Sequence, residues 1–337
     1  MSFTSLKRKL LLSLVFGLAV VLALVIYADL PKIAVSLGQF GWQYLPLILG
    51  LTLLNYGLRF VKWHLYLRLI GTGSLGAWES LLIFFSGLSM VMTPGKVGEW
   101  LKSYLLKETT GTPISTSAPI IVAERLTDAL AMLVLASGGL LIYGYNWQVL
   151  LLLLVAALAV VLVSQYRPLA MKLLSYGGRL PLVARRIHHF EAFYESSHEL
   201  FRLRNLLWAV ALGFISWAGE CAAFYFVLVG LGLEQGPLLL IQAAFVLAAS
   251  TLIGSSSMSP GGLAVAEGSI AGLLLLMGVT ADMPTAVAAT LLIRVCTLWF
   301  GVAVGILALL VFSRSVQTGE TASAARVALS GRIDTPR

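Results

Sequence analysis

The 337-residue sequence is poor in charge. Asp, Glu, Lys and Arg make up 11% of it, against about 25% in soluble domains. Hydrophobic residues make up 59%, and the mean hydropathy is +0.92. Such a chain cannot cover itself with a hydrated surface, which excludes a soluble catalytic domain of ordinary size. Cysteine is scarce as well: Cys221 and Cys296 both lie in apolar stretches, which excludes a disulfide framework and a thiolate metal site. The histidines, His64, His188, His189 and His198, fall in polar flanks, so an intramembrane zinc or His-based acid–base centre lacks ligands. No Gly-x-x-x-x-Gly-Lys-Ser/Thr loop occurs, so nucleotide hydrolysis has no phosphate cradle. No cofactor, no metal and no nucleic acid is expected to bind.

What the sequence has in abundance is apolar helix of the roughly 20 residues needed to cross a ~30 Å hydrocarbon core. Spans are expected near 10–28, 44–63, 118–145, 148–166, 205–232 and 285–312. The first follows Lys7-Arg8-Lys9 without a small-x-small cleavage site, so it reads as a retained helix. Segments 78–107 and 238–278 are apolar too, but they are broken at Pro94-Gly95 and Pro260-Gly261-Gly262. Proline lacks the N–H a helix needs and glycine permits a sharp reversal, so each segment is predicted to be a re-entrant hairpin.

Placing the amino terminus inside puts nearly all Lys and Arg outside the bilayer on the cytoplasmic side. Arg59, Lys62, Arg68, Lys102, Lys107 and the cations of 167–204 and of the tail are counted there, and Lys32 alone lies on the far side. Lys96, Arg125 and Arg294 remain at membrane depth. Each half then reads span, span, hairpin, span, and an odd number of crossings turns the second half upside down. The motif Ser89-Met90-Val91-Met92-Thr93-Pro94-Gly95 with Glu99 and Arg125 recurs as Ser257-Met258-Ser259-Pro260-Gly261 with Glu267 and Arg294. The fold expected is an all-α integral membrane protein of about six transmembrane helices plus two re-entrant hairpins in an inverted-topology repeat. Its parts are 1–146, 147–312 and a disordered cytoplasmic tail 313–337. An amphipathic connection at 167–204, with Val183, Ile187, Phe190 and Tyr194 at helical spacing, is expected along the inner leaflet.

Charge at the bilayer centre costs on the order of 2.5–3.5 kcal/mol per residue, so a cluster of it calls for a reason. Here Lys96, Glu99 and Lys102 follow the first break, Glu124, Arg125 and Asp128 share the next span, Glu267 follows the second break, and Arg294 comes last. Glu124 and Asp128 are i and i+4 and share a face, whereas Arg125 points about 100° away and must find its partner elsewhere, at Glu99 or Glu267. On 97–107, Glu99, Lys102 and Ser103 share one side, and Trp100, Leu101, Tyr104 and Leu105 mostly the other, the pattern of a helix lining a polar cavity. Together with Pro260, Gly261 and Gly262, these residues are read as a site for an anionic head group. The cations, the freed backbone N–H groups and the helix N-termini would hold it, and the carboxylates would carry protons or hold the arginines. The competing reading is structural, with the same charges only capping and pairing the hairpins. Glu220 is balanced between a relay and half of a buried ion pair.

At these residues the chain resembles the flippase-like membrane family that includes the transmembrane region of lysylphosphatidylglycerol synthase. The likeness rests on Pro94-Gly95-Lys96-Val97-Gly98-Glu99 with Lys102, on Glu124-Arg125 with Asp128, on Pro260-Gly261-Gly262 ending at Glu267, and on Arg294. Ala264 departs from it, standing where the family tends to have glycine. No soluble aminoacyl-transfer domain follows, so the translocating part alone is expected. The resemblance implies movement of an anionic phospholipid or polyprenyl-phosphate-linked lipid between leaflets. The expectation is therefore an ATP-independent transporter, not an enzyme, multi-pass in a bacterial cytoplasmic membrane with both termini inside. Its partners would be an anionic lipid head group, membrane lipids, and a lipid-synthesis enzyme or a second copy of itself. The rivals are a lipid-modifying enzyme with Glu99 or Glu124 as general base, and a non-catalytic partner of a lipid synthase.

Overall fold

The computed structural model describes residues 29–72, 75–93, 99–143, 187–257, 259 and 262–314, with isolated positions from 11 to 26 and at 148, 151 and 155. No strand occurs among the described residues. The helices are α1 (Leu30–Gly38), α2 (Leu45–Leu69), α3 (Ala77–Leu88), α4 (Trp100–Thr110), α5 (Ile114–Tyr143), α6 (Ile187–Leu200), α7 (Leu203–Gly230), α8 (Pro237–Ser256), α9 (Val265–Leu276) and α10 (Met283–Arg314). Proline occupies the first turn of α1, α2, α8 and α10, where its missing N–H costs nothing. Asp282 caps α10, its side chain accepting from the Thr285 N–H at 2.8 Å. Gly111, at φ 74, ends α4 by donating its N–H to the Lys107 carbonyl at 2.8 Å.

Among the described residues four helices are long and apolar enough to cross a membrane: Trp42–Leu69, α7, α8 and α10. The 30-residue α5 also has the length, and it carries Glu124, Arg125 and Asp128 in its first half. The paired helices α3 and α4, of 12 and 11 residues, each rise only about 17 Å. The second broken segment differs from the first. Of its limbs only α9 is short, at 12 residues, while the 20-residue α8 is long enough to cross by itself. Gly76 and Ser89 bound α3 closely, whereas α8 meets no breaker between Pro237 and the serines at its end. The expected spans 10–28 and 148–166 fall largely or wholly outside the described residues, as do Val183 and the tail beyond Arg314. Helix α6, the described part of the 167–204 connection, packs on α5 and buries Ser196, Ser197 and Leu200.

Helices α2 and α7 make the broadest contact. Asn55 Nδ2 donates to the Ser216 carbonyl at 3.0 Å and Ser216 Oγ donates to the Asn55 carbonyl at 3.1 Å, a reciprocal pair at the crossing. Gly213 lies against Lys62, and Gly219 against Leu51 and Leu54, so the two helices run antiparallel. Apolar clusters flank the crossing, one built mainly on α7 to α10 and one on α2 to α5.

The link into α9 contains a strained residue. Ala264 has φ 67 and ψ −48, a conformation that an L-residue avoids and glycine tolerates. It is the position where the resembled family tends to have glycine. Ala264→Gly is expected to stabilise the fold by about 1 kcal/mol, seen as a higher unfolding temperature in detergent.

Candidate functional site

A cavity of about 120 Å³ lies beside the α2–α7 crossing and draws its lining from both flanking clusters of helices. Its charged lining is Arg59 of α2, Arg125 of α5, Arg294 of α10 and Glu220 of α7, with Tyr56 and Trp217 beside them. Ser255, Gly254 and Gly262 close the side toward α9. Gly262 has φ 74, and a Cβ there would come within 3.2 Å of the Gly254 backbone, so only glycine fits this approach.

A carboxylate holds each arginine from behind. Glu99, at the start of α4, accepts two bonds from Arg125, the Nε one at 2.6 Å, in the fork geometry that suits a guanidinium. Arg294 Nε lies 2.8 Å from Glu267 Oε1, an ion pair off the line of the N–H. Both Glu267 oxygens therefore lack a hydrogen bond, and what favours this anion, besides Arg294, is its place in the first turn of α9. Arg59 lies 3.7 Å from Asp128 and stands over the Trp217 ring at 5.7 Å. Arg294 is followed by a π turn, Val295–Trp299, where the Thr297 carbonyl accepts the Tyr56 hydroxyl. Such an extra residue re-aims the helix face next to it and recurs at functional positions.

The remaining predicted residues separate from the cavity. Lys102 pairs with Glu124 in a compartment of its own, with its ammonium 4.6 Å from the Trp63 ring and 5.3 Å from Phe84. Neither Lys102 nor Glu124 lines the cavity. Helix α4 is wedged between α3 and α5 and buries Leu101 and Leu105 as well as Lys102 and Ser103, so the two-sided pattern expected on 97–107 does not hold. Asp128 pairs with Lys62, whose ammonium also donates to Thr127 Oγ1 at 3.2 Å. Lys62 is 2% exposed, and Arg59 lines the cavity, so neither belongs to an aqueous flank. The helix continues to Leu69, past the expected end at 63, and carries both cations inside the bundle. Lys96, Pro260 and Gly261 lie outside the described residues.

Reading the sequence missed Arg59, Tyr56 and Trp217. Arg59 had a usable signal: it falls within the apolar run predicted to span. Glu220 makes no ion pair and no hydrogen bond among the described residues, which sets it apart from Glu99, Glu124, Asp128 and Glu267. A wider recess of about 700 Å³ borders Lys62 from the other side and is lined by Arg68, Arg202, Arg204 and Trp208 near the α6–α7 junction.

These features define a multi-pass helical membrane protein with three arginines and one glutamate lining an internal cavity. Residues 14–305 match the family described as the lysylphosphatidylglycerol synthase TM region, and the chain belongs to that family. It is similar to a UPF0104 membrane protein of Methanothermobacter thermautotrophicus, with 22% identity over 335 residues, covering 92% of this chain and 97% of that protein. A UPF0104 membrane protein of Methanocaldococcus jannaschii is 25% identical over 187 residues, covering 52% of this chain and 74% of that protein.

Proposed function

We propose that the protein moves an anionic phospholipid, or a polyprenyl-phosphate-linked lipid, between leaflets without ATP. The observation that carries this reading is the convergence of Arg59, Arg125 and Arg294 on one cavity, each clamped from behind by a carboxylate. Clamped guanidinium groups with free N–H donors suit a phosphate and lose little entropy on binding it. The acyl or prenyl chains stay in lipid while the head group occupies the cavity, and the recess at Arg68, Arg202 and Arg204 offers a first foothold for it. The matched pairs Glu99–Arg125 and Glu267–Arg294 and the antiparallel crossing of α2 and α7 support two inverted halves, 1–146 and 147–312, rocking about a fixed site. About six spans, two re-entrant hairpins and a bacterial cytoplasmic membrane with both termini inside complete this reading.

The enzyme alternative draws less support. Glu99 is committed to Arg125 and Glu124 to Lys102, and neither borders the cavity, so neither carboxylate is placed to take a substrate proton. In liposomes carrying a labelled anionic phospholipid, the purified protein is expected to equilibrate label between leaflets with the lipid mass unchanged. A new mass would favour the enzyme, and static label with unchanged mass would refute transport.

A further inference from the structure

We propose that Glu220 is the proton site that couples lipid movement to the proton gradient, so that a monoanionic head group and one proton cross together. The inference rests on the transport reading above and names its coupling ion.

The pairs Glu99–Arg125, Glu124–Lys102, Asp128–Lys62 and Glu267–Arg294 are each neutral. Among the described residues of this cluster two ionisable groups are left over, both on the cavity wall: Arg59, which only shares Asp128 at 3.7 Å, and Glu220, which makes no ion pair. They occupy equivalent places, each four residues beyond the reciprocally bonded Asn55 and Ser216, and so fall on opposite sides of the crossing. With Glu220 ionised, the empty cavity is balanced. A phosphate diester entering it would meet Arg59 and a carboxylate at once, and two anions in so small a space exclude one another. With Glu220 protonated, the uncompensated charge is that of Arg59, which matches a monoanion.

Facing Glu220 are Tyr56 and Arg59 from α2, Asp128 from α5 and Arg294 from α10, with Cys221 beside it on α7 and Arg125 of α5 on the same cavity wall. Helix α8 contributes only the hydroxyls of Thr251 and Ser255. Of the cations, Arg125 and Arg294 already have their carboxylates and Arg59 is the cation left for the lipid.

The test uses the full-length protein in phosphatidylcholine vesicles with a trace of fluorescent phosphatidylglycerol, the voltage being clamped by potassium and valinomycin. With the outside one pH unit more acidic, coupling of one proton per lipid predicts up to about tenfold enrichment of label in the inner leaflet at steady state. This ratio does not depend on the transport rate. Glu220→Gln is expected to bring the ratio to one at any pH gradient. Wild-type protein that equilibrates lipid but ignores the gradient would overturn the coupling and leave the transport reading standing. Gradient-driven enrichment that persists in Glu220→Gln would overturn the assignment to Glu220. No lipid movement by wild type at symmetric pH would overturn the transport reading itself. Should Glu220→Gln not fold, wild type offers a second measurement, uptake of protons into the vesicle lumen driven by an inward lipid gradient, and its absence would equally reject the proposal.

Discussion

Replacing Arg294 by glutamine is expected to slow lipid equilibration by at least ~100-fold, the equivalent of about 2.7 kcal/mol lost from the rate-limiting barrier. Two effects combine in that substitution. The cavity loses a guanidinium aimed at the head group, and Glu267, which is 2% exposed, loses the cation that accompanies it. Leaving one partner of a buried pair alone costs about 3–5 kcal/mol, so the single variant confounds function with folding. The double variant Glu267→Gln, Arg294→Gln separates them. It removes both charges and is expected to insert and unfold near the wild-type temperature while transporting no faster than the single variant. Transport by the double variant at the wild-type rate would remove Arg294 from the site. The same design applies to Arg125 with Glu99.

The largest effect on stability is expected at Asp128. Asparagine is nearly isosteric, yet Asp128→Asn leaves Lys62 buried without an anion and releases Arg59 as well. A cost of about 3–5 kcal/mol is expected, lowering the unfolding temperature in detergent by roughly 10 °C. Asp128→Leu combined with Lys62→Met replaces the pair with apolar groups of similar volume and is expected to recover most of that loss. Arg59 would still lack its hold in the double variant, so transport should remain impaired after stability returns. Equal recovery of both would mean that Asp128 acts only through Lys62.

Some of this arrangement could be read from the chain alone. Spacing along α5 forces Arg125 off the face shared by Glu124 and Asp128, and Glu99 was one of the two partners this allowed. The recurrence of the motif set Glu267 and Arg294 in the places that Glu99 and Arg125 hold in the first half, but the sequence offered Glu267 as a partner for Arg125, whereas it pairs with Arg294. Other features depend on contacts that spacing does not encode. Lys102 looks like a cavity residue on a helical wheel, but Trp63 and Phe84 come from other helices and take its ammonium away. The equivalence of Arg59 and Glu220 is invisible because the two side chains carry opposite charges, and the offset that relates them appears only in the Asn55–Ser216 hydrogen bonds. The unequal limbs of the second broken segment were hidden because a Pro-Gly marks where a helix stops and does not show how far back it began.

The reciprocal bonds at Asn55 and Ser216 also have a mechanical meaning. A crossing tied at one level by two equal bonds is a fulcrum, and side chains move in proportion to their lever arm from it. Arg59 and Glu220 lie one helical turn away, about 6 Å along the axis, whereas Leu69 lies about 21 Å away. A tilt of about 15°, typical of rigid-body rotations, would shift the end of α2 by roughly 5 Å and Arg59 by roughly 1.5 Å. Residues near the fulcrum can thus stay in touch with a head group throughout the stroke. Distance from the fulcrum then separates the side chains able to act as ligands from those able to act as gates.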